Sequence, residues 1–304
     1  MPYDSIVCVK QVPDTANITA EAMKEDGTVN RGALPTIFNP EDLHALETAL
    51  EIRQEYGGTV TVVSMGPPKA ADVLRDCLFR GADRAILITD RRAAASDTLA
   101  TSYILSQAVR TVGRYDFVFC GRQAIDGDTA QVGPQCAEKL GIPQITYLEK
   151  LISAHDRVVR IRRNIGHGWE IVEAKLPVLV TVIESANEAR PPAAKRVMRL
   201  KRAKVPAEVA AEVKASMPDA SEAELVAQTA QRIEALKAAG LLIEQWDLDA
   251  IHADLERCGL AGSPTKVHRV QAIVLTKEGR TAVPATEAGI QNLIHELVVD
   301  RTWG

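Results

Sequence analysis

The sequence predicts an α/β protein built on a doubly wound, mostly parallel β-sheet. In the first half of the chain, short β-branched runs alternate with longer stretches of helical periodicity, which is typical of parallel βαβ units. Aromatic residues make up only 4% of the 304 residues, so the core must consist mainly of Val, Ile, Leu and Ala. Such a core suits a sheet that helices cover on both faces.

Four strand–helix pairs account for this first half. The first strand is predicted at 5–10, and the helix after it begins at Asn39, a good N-cap, with Pro40 in the first helical position. Gly57 and Gly58 end this helix. The later elements of the region are strands at 59–64, 84–89 and 117–120, a helix that ends at Gly81, and helices at 96–112 and 129–140.

The pattern changes after about residue 150. Alternating segments at 157–162 and 169–174 predict an antiparallel hairpin, and the apolar run 176–183 predicts a central strand. Residues 187–204 are rich in Pro, Ala and basic side chains and show no stable period. The remaining predicted elements are charged helices at 222–239 and 247–258, a strand at 270–276 and an amphipathic helix at 286–298.

Composition excludes several classes of protein. The net charge of −4 argues against a nucleic-acid-binding protein. The longest apolar run is far shorter than the roughly 20 residues that a membrane-spanning helix needs. Five scattered cysteines without a CxxC pair argue for reduced thiols, and against a disulfide framework or a zinc site. We therefore expect a cytoplasmic protein without a membrane span.

The strongest candidate site is the loop 120–134, which follows a strand, carries three glycines and leads into a predicted helix. The N–H groups of residues 129–131 are expected to point at an anion from the first helical turn. Asp126 and Asp128 suit capping of the helix or acceptance of hydrogen bonds from ribose hydroxyls. Two alternatives stay open, namely a plain turn that Asp128 caps and a metal site at Asp126 and Asp128.

Two further segments are weaker candidates. Residues 39–42 form a second helix N-terminus, and residues 63–68 form a strand end at which Gly66 permits close approach; an ordinary helix start explains each of them equally well. The sequence contains no GxxxxGK[ST] loop and no arrangement typical of a catalytic triad. A nucleotide cradle without an acid, base or nucleophile favours binding or electron transfer over hydrolysis. A stand-alone ATP-binding or ATP-hydrolysing module is the alternative from a different class.

Five ordered sequence blocks resemble the β subunit of electron transfer flavoproteins. They cover residues 7–14, 39–47, 65–67, 74–83 and 120–134, and the last block is the most specific. The whole resemblance extends over residues 3–204 and returns at 261–304. It implies a Rossmann-like, adenine-nucleotide-binding fold in an αβ heterodimer whose α subunit carries the electron-shuttling FAD.

The resemblance leaves two nucleotides open for this chain. Some members of the family hold a structural AMP, whereas members that bifurcate electrons hold a second FAD, which exchanges hydride with NADH. The amino-acid sequences of 9–16 and 126–134 are similar to those of the bifurcating members, and the small Gly127 and Ala130 leave room for a larger ligand. We therefore expect FAD, with AMP as the alternative.

The resemblance also implies the binding residues, none of which is expected to be catalytic or to bind a metal. Main-chain groups of Cys8 and Met65 are expected on the adenine side. Side chains and amides that hold ribose or phosphate are expected at Asp128, Thr129, Gln131 and Val132. The full expected set is Cys8, Lys10, Asn39, Pro40, Asp42, Met65, Gly121, Gln123, Asp126, Gly127, Asp128, Thr129, Ala130, Gln131, Val132 and Gly133.

The resemblance implies three parts of the chain. Residues 1–184 form the nucleotide-binding core, 185–262 a recognition loop with a charged helical insertion, and 263–304 an arm that contacts the α subunit. Family members use the loop, here 187–204, to insert a leucine into an acyl-CoA dehydrogenase or another flavoprotein dehydrogenase. Ala194 stands at that leucine's position, so either the partner differs or a neighbour such as Val197 or Met198 replaces it.

Overall fold

A computed structural model describes residues 2–14, 34–265 and 282–299. Its strands are β1 (Ser5–Cys8), β2 (Gln11–Pro13), β3 (Thr36–Phe38), β4 (Val60–Met65), β5 (Arg84–Ile88), β6 (Phe117–Gly121), β7 (Gln144–His155), β8 (Val158–Asn164), β9 (Trp169–Lys175), β10 (Val178–Val182) and β11 (Glu244–Trp246). Its helices are α1 (Pro40–Tyr56), α2 (Ala71–Arg80), α3 (Thr98–Val112), α4 (Val132–Leu140), α5 (Ala194–Leu200), α6 (Pro206–Ser216), α7 (Glu222–Ala238) and α8 (Glu287–Val299).

Nine strands form one sheet in the order β11-β5-β4-β1-β6-β10-β7-β8-β9. Strands β11 to β7 in this order pair in parallel, and β7, β8 and β9 pair antiparallel. The chain runs from β1 outward to β4 and β5, and returns through β6 on the other side of β1. The winding therefore reverses between β1 and β6, and the carboxyl ends of these two strands flank a crevice.

Side chains that alternate along the strands build one core on each face of the sheet. Val7, Val62 and Phe119 pack against α1 and α2 on one face, while Ile6, Val63 and Val118 pack against α3 and α4 on the other. A strand that is buried on both faces has no polar side, which explains the continuous apolar runs of β1 and β10. The predicted doubly wound α/β fold, the hairpin β8–β9 and the central position of β10 are confirmed.

Helix α4 begins three residues later than predicted, at Val132 instead of Thr129. Asp128 and Ala130 have φ of +50° and +53°, and this left-handed backbone cannot continue into a right-handed helix. The alternative of a plain turn in which Asp128 caps the helix is therefore wrong, and the N-cap position falls on Gln131.

The second half of the chain departs further from the predictions. The helix predicted at 247–258 is wrong: this segment consists of turns and one 3-10 turn, Leu255–Arg257, because His252 adopts φ +52° and Asp254 caps that short turn. Helix α5 forms where the sequence shows no helical period. The apolar pattern is missing because Leu200 is the one side chain of this helix that is buried. Strand β7 was missed because two irregularities in its register interrupt the alternation. The strand predicted at 270–276 lies outside the described residues.

The chain divides into two units, residues 1–268 and 269–304. In the second unit, the predicted amphipathic helix is confirmed as α8. Ile290, Leu293, Ile294 and Val298 follow helical spacing along one face, and all four side chains are exposed. In the described residues, no helix is both long enough and apolar enough to cross a membrane.

Candidate functional site

A cleft of about 420 Å³ lies where the winding of the sheet reverses. The ends of β1 and β6 border it, together with the loop that leads into α4 and the start of α3. Thirteen of the sixteen residues expected to bind a nucleotide line this cleft: Cys8, Lys10, Asp42, Met65, Gly121, Gln123, Asp126, Gly127, Thr129, Ala130, Gln131, Val132 and Gly133. Asn39, Pro40 and Asp128 are absent from the lining.

Asp42 joins the two strand ends at the base of the cleft. Its Oδ2 accepts the Lys10 N–H at 2.9 Å and its Oδ1 accepts the Gly121 N–H at 2.9 Å. Burial raises the pKa of the Asp42 carboxyl to about 7, although hydrogen bonds from Gly121, Asn39 and Lys10 lower it in part. The carboxyl thus fixes the spacing of β1 and β6, where the crevice opens.

The N-terminus of α1 holds the loop after β6 in place. The Asn39 amide donates to the Gln123 carbonyl at 2.9 Å and accepts the Ile125 N–H at 3.1 Å, so its side chain does not cap α1. Glu41 accepts the Gln123 N–H at 2.8 Å and pairs with Arg122 at 2.9 Å. Asn39 and Glu41 therefore support the loop from behind, and Pro40 is the first residue of α1.

The outer part of the loop lines the cleft and is tied to β1. The Lys10 ammonium contacts the Asp126 carboxylate at 2.7 Å, which links the end of β1 to the loop. Asp128 accepts a hydrogen bond from the Gln123 amide at 3.1 Å. No group of three or more carboxylate, His or Cys side chains with the arrangement of a metal site occurs in 2–14, 34–265 or 282–299.

Helix α4 starts without a side-chain cap at the cleft. Helical geometry leaves the N–H groups of Val132 and Gly133 without partners inside the helix, and Pro134 has no N–H. These two donors and the positive end of the helix dipole favour an anion at this point. The unpaired N–H groups of the first turn of α4 are therefore those of residues 132 and 133 instead of 129–131, and the anion site itself stays a prediction.

At two of the loop glycines, the packing of neighbouring atoms leaves no space for a side chain. A Cβ on Gly121 would lie 2.5 Å from the Asp42 Oδ1, and a Cβ on Gly133 would lie 2.9 Å from the Thr181 Cγ2. Gly127 differs, because a Cβ there meets no atom within 4 Å. Gly121 thus permits close packing of β6 against α1, and Gly133 permits close packing of α4 against β10, whereas the surroundings of Gly127 are open.

One wall of the cleft was missed by the sequence analysis. It consists of Ala93, Ala95, Ser96, Asp97, Thr98, Thr101 and Leu105, after β5 and in the first turns of α3. Asp97 caps α3 by accepting the Ala100 N–H at 3.0 Å, and the Thr98 hydroxyl donates to the Gln131 side chain at 2.9 Å. The N-termini of α3 and α4 therefore meet at the cleft. The signal for this wall was Ser96-Asp97-Thr98, an N-cap sequence shortly after a parallel strand.

The thiols at the base of the cleft are poorly suited to nucleophilic chemistry. The neighbouring Cys8 thiol and burial raise the pKa of Cys120 well above its ordinary value. Burial likewise raises the pKa of Cys136. A thiol that stays protonated is a weak nucleophile, so these side chains serve as small apolar packing groups.

Comparisons with known proteins agree with this arrangement. An electron transfer flavoprotein domain matches residues 26–213. The chain is 39% identical over 300 residues to Protein FixA of Sinorhizobium fredii, which covers 96% of this chain and 91% of that protein. It is 40% identical over 264 residues to the electron transfer flavoprotein subunit beta of Clostridium acetobutylicum, covering 87% of this chain and 86% of that protein.

A third relative extends over nearly the whole of both chains. The electron transfer flavoprotein subunit beta of Thermoanaerobacterium thermosaccharolyticum is 38% identical over 292 residues, or 96% of each protein. The domain match covers more than half of the chain, and the identities are close to 40% over most of its length. The chain therefore belongs to the electron transfer flavoprotein family, among the proteins named as its beta subunit or FixA.

Proposed function

We propose that this chain is the β subunit of a cytoplasmic, heterodimeric electron transfer flavoprotein and binds FAD in the cleft between β1 and β6. In this proposal, electrons pass between NADH or an acyl-CoA dehydrogenase and the FAD of the α subunit, in a system capable of flavin-based electron bifurcation. The observation that carries the proposal is the meeting of two helix N-termini, α3 and α4, at the point where the sheet reverses its winding.

The residues of the cleft fit a dinucleotide that joins an anion to an apolar ring. The N–H groups of Val132 and Gly133 offer donors at one part of the cleft. Met65 and Leu105 offer apolar surface at another. Such a combination of apolar lining with a few convergent polar groups is typical of a cofactor site.

In this role the chain binds and orients, and the cofactor supplies the redox chemistry. FAD, when bound, accepts or donates electrons through its isoalloxazine ring. Asp42 holds the two strand ends together, and Asn39 and Glu41 fix the loop that lines the cleft. Rigid supports of this kind keep a bound ring in one orientation towards its electron-transfer partners.

Two surfaces suit the proposed partners. The apolar face of α8 is exposed over Ile290, Leu293, Ile294 and Val298, which suits the arm proposed to contact the α subunit. Residues 187–204 are the proposed contact for the dehydrogenase.

The start of this proposed dehydrogenase contact is fixed to the core. Arg190 pairs with Glu47 of α1 at 2.7 Å, and the Asn187 amide donates to the Thr48 hydroxyl at 2.9 Å. Met198 is 68% exposed on α5, close to Ala194, and is our candidate for the missing apolar anchor.

The proposal is tested on the complex of this chain with the α subunit. Nucleotides released by denaturing the complex are identified and counted, and an anaerobic titration with NADH follows the flavin absorbance. We expect two FAD per heterodimer and bleaching of both flavins by NADH. One FAD with one AMP would establish the AMP alternative, and a monomeric chain that turns over ATP would overturn the electron-transfer role.

A further inference from the structure

Residues 258–265, which follow the last 3-10 turn, pack against the cleft wall formed by residues 93–98. The Ser263 hydroxyl, 2% exposed, accepts the Asp97 N–H at 2.8 Å and donates to the Gly259 carbonyl at 2.7 Å. The Gly259 N–H donates to the Ser96 hydroxyl at 3.1 Å. The segment thus holds two consecutive residues of the wall, Ser96 and Asp97, both of which line the cleft.

Asp97 connects this segment to the start of α3. Its Oδ1 accepts the Ala100 N–H of α3 at 3.0 Å, and its Oδ2 accepts the Thr265 N–H at 3.0 Å. Burial by itself raises the pKa of Asp97, but hydrogen bonds from the backbone N–H groups of Ala100, Thr265 and Leu99 and from the Thr265 side chain together outweigh it, and the pKa lies below its ordinary value. The carboxylate is therefore held from one side by the helix and from the other by residues 258–265.

The packing of this segment is close enough to transmit a displacement. A Cβ on Gly259, whose φ is +58°, would lie 2.1 Å from the Arg92 carbonyl oxygen. A Cβ on Gly262 would lie 2.1 Å from the Arg257 carbonyl carbon, and Cys258 is buried. Contacts without spare volume leave the wall little freedom to move while the segment stays in place.

We propose that Ser263 is a positioning residue for the nucleotide: through Asp97 it holds the cleft wall and the N-terminus of α3 in the geometry that binds the ligand. The inference rests on the proposed function, since it takes the cleft as the nucleotide site. Residues 258–265 lie beyond the stretch that the family domain matches, which ends at residue 213. Ser263 makes this contribution from behind the wall, without lining the cleft.

The test compares Ser263→Ala with Ser106→Ala in the full-length chain, stripped of nucleotide and titrated with FAD and, separately, with AMP. Ser106 is also fully buried and donates to the Tyr103 carbonyl at 2.7 Å, but it lies on α3 away from the cleft lining. We expect both variants to lower the melting temperature of the free protein similarly. Only Ser263→Ala is expected to weaken nucleotide binding, by about tenfold, because the partly buried Asp97 N–H of the wall loses its acceptor.

A second pair of variants covers the case in which Ser263→Ala fails to fold. Thr265→Pro removes the N–H that Asp97 accepts at an exposed position, whereas Thr265→Ala keeps it. We expect the proline variant to bind nucleotide more weakly than the alanine variant. Wild-type affinity in both Ser263→Ala and Thr265→Pro would overturn the positioning role. A wild-type chain that binds neither FAD nor AMP would instead overturn the proposed function.

Discussion

Asp42 illustrates how a single buried carboxyl organises this site. Its two oxygens accept hydrogen bonds from the N–H groups of Lys10, just after β1, and Gly121, at the end of β6. Neither donor is therefore left unpaired beside the cleft. Burial raises its pKa from 3.8 to about 7. The group therefore binds its proton more tightly in the folded chain than in the unfolded one, and it links stability to pH.

The contribution of Asp42 to the free energy of unfolding is fully present below about pH 4 and is lost as the pH rises through 7. We predict that the difference in unfolding free energy between wild type and Asp42→Asn, which cannot titrate, falls by a few kcal/mol between about pH 4 and 8, since each unit of pKa change corresponds to about 1.4 kcal/mol. Urea unfolding at several pH values measures this difference.

Asp90 supplies a control of opposite sign. Hydrogen bonds from Arg92 lower its pKa to about 2, so its stabilisation is present above about pH 4 and is lost as the pH falls through 2. The difference between wild type and Asp90→Asn should therefore stay level from pH 4 to 8. An equally level difference for Asp42→Asn would show that the carboxyl does not carry its raised pKa in the folded protein.

At the scale of the elements, α4 begins in the lining of the cleft with an N-terminus that has no side-chain cap. We predict that Gln131→Asp raises the unfolding free energy of the nucleotide-free protein, by at most about 1 kcal/mol, because a carboxylate favours the positive end of a helix. The same charge would compete with a phosphate, so nucleotide affinity should fall severalfold. Thermal unfolding and nucleotide titration measure the two effects.

Gln131→Asn separates capping from charge at this position. Its amide offers a similar cap without a negative charge, so nucleotide affinity should stay closer to that of wild type. Both variants lose the present contact of the Gln131 side chain with the Thr98 hydroxyl, and this loss cancels in the comparison. Equal affinities for the Asp and Asn variants would argue against an anion at the start of α4.

Elements with a clear local pattern were predictable from sequence. The strands β1, β4, β5 and β6 and the helix α1 follow from β-branched runs and from Asn39-Pro40 at a helix start. The role of Asn39 did not follow, because its side chain bonds to a loop more than 80 residues away. The sequence pattern located the helix start correctly but could not show which group its side chain binds.

The errors have a common physical origin in long-range pairing and unusual backbone. Strand β11 is three residues long and exists because it pairs with β5. The late start of α4 depends on left-handed torsions at Asp128 and Ala130, which are uncommon outside glycine. The cleft wall at 93–98 belongs to the site only because the fold brings it beside the loop after β6.

At the scale of the whole molecule, membership of the electron transfer flavoprotein family supports an electron-transfer role for the chain. The proposed contact with the α subunit through α8 makes a direct prediction. Leu293→Asp combined with Ile294→Asp should prevent co-purification of the α subunit, since charged groups on the apolar face cannot be buried without a partner charge.

Gln291→Asp combined with Asn292→Asp adds the same charges to polar, exposed positions of α8 and should leave co-purification intact. The melting temperature of the chain alone should be unchanged by either pair, because all four side chains are exposed in the free chain. Retention of the α subunit by the Leu293/Ile294 variant would place the subunit contact elsewhere.

We have proposed that the cleft between β1 and β6 holds the nucleotide of this chain. Gly127 allows the most direct test, because it lines the cleft and a Cβ there meets no atom of the protein. Gly168, at the turn of the hairpin β8–β9, has equally open surroundings away from the cleft. Leucine at either position is therefore compatible with folding, but only Gly127→Leu places a side chain in the ligand's space.

The decisive measurement is the amount of FAD and AMP released from the purified wild-type complex with the α subunit and from the Gly127→Leu and Gly168→Leu complexes. We predict that Gly127→Leu loses the one nucleotide held by this chain and keeps the flavin of the α subunit, while Gly168→Leu retains both. A full complement of nucleotide in the Gly127→Leu complex would contradict it.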